Sequence, residues 1–160
     1  MEIASHIKEN LGDNWLPVIY RDKIRTLRTR AYRLEVEMRE NKTEIQHTLL
    51  GVELKVRNKR LSCPDLSTAR YLQVFARLGC QEIAVPYDIT KISHLADELE
   101  SSWQRILLLF NEETRDKTPQ TKGKARANLI REIRNELGEI GAGALMPEFR
   151  QSTKQRPEKR

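Results

Sequence analysis

Cysteine is nearly absent from this chain: Cys63 and Cys80 are the two in 160 residues, too few for a disulfide scaffold. Glycine (7) and proline (6) are also scarce, so few positions break a helix. Long apolar runs are missing. The longest, Ile106 to Phe110, is far short of the roughly 20 residues that span a bilayer. The first twenty residues carry Glu2, Glu9 and Asp13 and no apolar block, which predicts no secretory signal. These absences argue against a membrane partner and predict a cytoplasmic protein.

Charge is what the chain has in plenty. Charged residues make up 32% against 38% hydrophobic, too polar for a membrane protein and too apolar for full disorder. Lys and Arg number 29 against 23 acids, a net charge of +6. The length suits one compact domain. We expect a single domain over 1–146 and a mobile basic tail over 147–160.

The charges are not evenly spread. Arg21, Lys23, Arg25, Arg28, Arg30 and Arg33 stand against Asp22 alone. Lys55, Arg57, Lys59 and Arg60 form a second basic cluster. Leu61 to Asp116 is acidic. Lys117, Lys122, Lys124, Arg126, Arg131 and Arg134 then face only Glu132. An acidic middle lies between basic segments, and partner contacts belong on the basic ones.

The clearest periodicity starts at Tyr20. Tyr20, Ile24, Leu27, Ala31, Leu34 and Met38 step by four and three, and Ile45 continues with Asn41 in the skipped slot. This heptad pattern predicts a long helix from about Leu16 to Leu50. Ahead of it, Ile3 to Leu11 reads as a short helix stopped by Gly12. Behind it, Val52, Leu54 and Val56 alternate with charged residues, and Asn58-Lys59 turns them back on Leu61. That reads as a short β-hairpin or as a loop between helices. Asp65 opens a helix ending at Gly79, and Ile83 to Val85 is extended. Further helices carry Ile92 to Phe110 and Ala125 to Ile140. Their connected apolar faces predict a mainly α fold, a bundle of four to five helices.

Chemistry is thinly signalled. Cys63, Cys80 and His94 lack the close spacing of a zinc site. Neither cysteine has a recognisable histidine partner among His6, His47 and His94, so two buried thiols are the simpler reading. The glycines at 138, 141 and 143 follow a helix and lack the Lys-Ser/Thr of a phosphate loop. Asp97 and Glu100 have a spacing that suits a metal, but a solvated helix face explains them more simply. Trp103 and Phe110 read as core. We therefore expect no enzyme and no cofactor.

The basic helix has two readings. Six cations over about 18 Å, five of them arginine, suit a phosphate backbone. Nucleic acid is then the partner, RNA or DNA, bound through Arg21, Lys23, Arg25, Arg28, Arg30 and Arg33. Lys122, Lys124 and Arg126 form a second contact region, and Tyr32 is the ring best placed to stack on a base. Alternatively, the heptad seam makes the chain a self-associating coiled-coil scaffold or adaptor, a homo-oligomer whose basic half meets its acidic half.

In size, helix content and basic helix surfaces, the chain resembles the helical small subunits of multi-subunit CRISPR surveillance complexes. The segments that carry this are Arg21 to Arg30 and Lys122 to Arg126. The resemblance implies a non-catalytic subunit that lines a ribonucleoprotein filament beside other protein subunits. There it would contact RNA or DNA backbones without sequence preference, in antiviral defense.

Overall fold

The computed structural model describes residues 2–143. The expected basic tail at 147–160 lies outside the described residues. The chain begins with helix α1 (Glu2–Leu11), a 3₁₀ turn (Gly12–Asn14) and the short helix α2 (Leu16–Ile19), which widens into a π turn (Tyr20–Ile24). Strands β1 (Thr29–Arg33), β2 (Thr43–Thr48), β3 (Gly51–Val56) and β4 (Lys59–Cys63) follow. Helix α3 (Leu66–Arg77), strand β5 (Glu82–Pro86), a 3₁₀ turn (Ile89–Lys91) and helices α4 (Ile92–Glu113) and α5 (Pro119–Ile140) complete it.

The helical-bundle expectation fails. The protein is mixed α and β, with five strands in two antiparallel sheets. The error lies in the heptad helix. Its first turns are helical through Ile24, where Tyr20 and Ile24 are buried as the pattern requires. Beyond that the pattern is false: Ala31 and Met38 are exposed and Leu27 is only half-buried. The chain instead runs extended over Thr29–Arg33, where burial does not alternate, and continues irregularly past the buried Leu34 and Val36, with Glu35 at φ +53°. Thr29, Tyr32 and Val36 are also residue types that favour extended backbone.

β1 pairs antiparallel with β5, from Thr29 opposite Pro86 to Arg33 opposite Glu82. Tyrosine hydroxyls satisfy the backbone of β5 on its other side. Tyr20 Oη accepts from the Ala84 N–H at 2.9 Å and donates to the Gly141 carbonyl at 2.7 Å. Tyr71 Oη donates to the Ala84 carbonyl at 2.6 Å. These contacts tie the small sheet to α2, α3 and the end of α5. They also meet the rule that buried backbone groups need partners.

β2, β3 and β4 form the second sheet in sequence order. Leu54 faces Ile45 on one side and Leu61 on the other, and these residues point inward with Val56 and Cys63. The turn at Arg57-Asn58 joins β3 to β4, so the alternation at Val52, Leu54 and Val56 is a true strand, here extended by β2. The inner face packs on α3, whose opposite side packs on α4. This double covering explains why α3 buries Ala69, Tyr71, Leu72, Val74, Phe75 and Ala76 around most of its circumference. Asp65 caps its start by accepting from the Thr68 N–H at 2.8 Å. Gly79 ends it at φ +79°.

Candidate nucleic-acid interface

The predicted cations lie on two kinds of backbone. Arg21, Lys23 and Arg25 belong to the π turn and its C-cap, whereas Arg28, Arg30 and Arg33 lie on or beside β1. They are not one helical belt. Several are already engaged. Arg21 Nε pairs with Asp22 at 2.8 Å, a contact that holds the Asp22 carboxyl below its ordinary range. Lys23 Nζ reaches Glu98 of α4 at 2.6 Å. Arg25 is half-buried and donates to Thr29 Oγ1 at 3.2 Å. Arg33 meets Glu82 across the β1–β5 pair at 3.5 Å.

Arg28 and Arg30 have no carboxylate partner among the described residues. Two apart on a strand, they point to the same face. That face carries Tyr87, whose N–H donates to the Arg28 carbonyl at 3.0 Å and extends the β1–β5 pairing by one step. The guanidinium of Arg28 lies 4.8 Å from the ring centroid and that of Arg30 lies 5.9 Å from it. Both distances are within cation–π range. Tyr87 is 52% exposed, so the ring remains available on its outer side. Ile89, two residues further on, is also exposed. Asp88, the nearest carboxylate in sequence, is held below its usual range by hydrogen bonds from the Thr90 hydroxyl and N–H. It serves as the cap of the following turn.

Tyr32 is the ring expected to stack on bases. It is half-buried against the core, and burial raises its hydroxyl pKa. Sequence reasoning passed over Tyr87 because it lies more than 50 residues from Arg28 and Arg30. The available signal was the extended Ile83–Val85 run just before it.

Lys122, Lys124 and Arg126 sit in the first turns of α5. The other end of α5 approaches β1: a Cβ on Gly143 would lie 3.4 Å from the Ala31 nitrogen. At 1.5 Å per residue, Lys122 is therefore roughly 28 Å along the helix from Gly141. The two basic regions are not brought together. Arg126 is committed elsewhere, since its Nε and Nη2 donate to both Glu40 oxygens at 2.8 and 2.6 Å. Lys124 is exposed with no ion pair among the described residues.

The candidates for catalysis fare as follows. Cys63 and Cys80 are both buried. Asp97 and Glu100 are engaged by Arg70 and Arg77 of α3 at 2.6 and 3.1 Å, which makes them struts between α3 and α4. Among the described residues there is no group of three or more metal-ligating side chains, and no helix is long and apolar enough to cross a membrane. Comparison with protein-family models, with curated proteins and with solved structures finds no match for this chain.

Proposed function

We propose that this chain binds single-stranded nucleic acid, RNA or DNA, through its backbone and without sequence preference, as a non-catalytic subunit of a ribonucleoprotein complex. The observation that carries this is the exposed Tyr87 ring flanked by Arg28 and Arg30 on one sheet face. Arginines beside an open aromatic face supply phosphate contacts and a stacking platform together, and both tolerate any base. Leu49 and Leu50, fully exposed at the β2–β3 tip where turns are ordinarily polar, support contact with a further subunit. The reading rests on this surface and not on the CRISPR small-subunit resemblance, whose all-helical fold the two sheets do not meet. The coiled-coil scaffold loses its basis with the heptad helix.

The test is fluorescence anisotropy with a labelled single strand across a salt series. Wild type should bind, and the pair Arg28→Gln and Arg30→Gln should flatten the slope of log affinity against log salt by about 1.4, two phosphates' worth. Tyr87→Ala should weaken binding by roughly 5- to 150-fold and Tyr87→Phe far less. Absence of binding at low salt and at protein concentrations above about 10⁻⁴ M would remove the proposal.

A further inference from the structure

The basic cluster from Lys55 to Arg60 takes no part in the surface around Tyr87. Within it, Lys59 Nζ donates to the Leu34 and Glu35 carbonyls at 3.0 and 3.2 Å. Arg60 donates to Gln46 and Glu53 at 3.0 and 3.1 Å. Lys55 and Arg57 do something else. With Lys42, Thr43 and Glu44 they line a cleft of about 360 Å³ where β2 begins and β3 ends. That volume is in the range of small-ligand sites. Three cations face one carboxylate there, and none of the three has an ion pair among the described residues.

Arg57 is held in place rather than left to wander. Its Nε donates to Asn41 Oδ1 at 2.6 Å and its Nη2 to the Glu40 carbonyl at 3.2 Å. Asn41 is 2% exposed and is itself anchored, donating to the Glu37 and Ala76 carbonyls at 2.9 and 3.1 Å. Nη1 has no protein partner among the described residues. The backbone of Arg57 sits at φ +55° in a hairpin turn, a place that favours glycine. An arginine there, with a buried amide orienting its fork, is a preorganised donor.

We propose that this cleft binds a phosphate monoester or free phosphate. Lys42 and Lys55 supply charge, and Arg57 Nη1 supplies a directed donor. Thr43 borders the cleft through its backbone, because its side chain turns to the inner face, where the hydroxyl accepts from Gln73 Nε2 of α3 at 3.1 Å. Glu44 fits a monoester and not a diester. Its carboxylate accepts the proton that a monoanionic phosphate still carries, whereas a diester and sulfate have none to give. The site stands apart from the Tyr87 surface, so the failure of either reading leaves the other intact.

The experiment titrates isotope-labelled protein with inorganic phosphate and, separately, with sulfate, following amide and Arg side-chain resonances. Saturable shifts at Lys42 to Glu44, Lys55 and Arg57 are expected, with sulfate at least roughly tenfold weaker, the worth of one charge-assisted hydrogen bond. Lys42→Gln with Lys55→Gln, which break no contact that holds the fold, should weaken phosphate by at least about tenfold with an otherwise native spectrum. Oligonucleotides with a 5′-phosphate or a 5′-hydroxyl then identify the source. Preference for the phosphate assigns a strand terminus, and equal affinity assigns a free small ligand. No saturable shift, equal response to sulfate, or binding unchanged in the double variant overturns the proposal.

Discussion

Cys80 shows how burial alone sets the behaviour of a single residue. The residue is 4% exposed, and desolvation of the thiolate pushes its pKa from 9 up to about 12. Below pH 9 the thiol keeps its proton in both folded and unfolded chains, and its contribution to stability is constant. Between pH 9 and 12 the unfolded thiol loses its proton while the folded one retains it, so stability falls as pH rises. Tyr20, buried and pushed up to about 12, adds to the same loss above pH 10. Urea melts between pH 7 and 11 should show this decline, and Cys80→Ala should make it shallower by an amount on the order of a few kcal/mol at the alkaline end. An unchanged slope in the variant would assign the loss to other groups. The same thiol should resist alkylation in the native state, because reaction needs the thiolate.

At the scale of elements, the end of α3 depends on one glycine. Gly79 adopts φ +79°, and a Cβ there would lie 2.5 Å from both the nitrogen and the oxygen of Arg39. Backbone cannot yield as a flexible side chain does. Gly79→Ala should therefore cost more than the roughly 1 kcal/mol of the left-handed conformation itself, and should displace the segment that carries Asn41. Gly123 is the opposite case. It lies inside α5 with nothing within 4 Å of an added Cβ. Gly123→Ala should stabilise by about 0.5–1 kcal/mol through helix propensity. Thermal melts of the two variants should move in opposite directions.

At the scale of the whole molecule, the two ends of the described chain hold each other. The indole of Trp15, fully buried, donates to Glu136 of α5 at 2.8 Å, and Lys8 of α1 reaches the same carboxylate at 3.2 Å. The indole N–H has no other protein acceptor among the described residues. Glu136→Leu should leave that donor unsatisfied and cost about 1–3 kcal/mol in denaturant melts. Glu136→Gln retains an acceptor oxygen and should cost much less. Equal losses in the two variants would show that the carboxylate charge, and not the acceptor, matters.

Local order is written in the sequence wherever a signal is complete within a few residues. Asp65 as a cap, Gly79 as a stop, the strand alternation from Val52 to Val56 and the apolar faces of α3, α4 and α5 all belong to this class. Leu72, Phe75, Leu99, Trp103, Ile106 and Leu129 are buried as those faces require. The stretch after Ile24 is different. Its apolar positions step by three and four as in a helix, yet Thr29–Arg33 is a strand whose burial does not alternate, so no local period gives the strand away. The choice was made by β5, about 50 residues away, whose backbone pairs with β1 and whose other side is satisfied by the Tyr20 and Tyr71 hydroxyls. The candidate sites follow the same division. The arginines were legible as a dense charge. Tyr87 beside Arg28 and Arg30, and Lys42 beside Lys55 and Arg57, exist only because strands distant in sequence become neighbours through backbone hydrogen bonds.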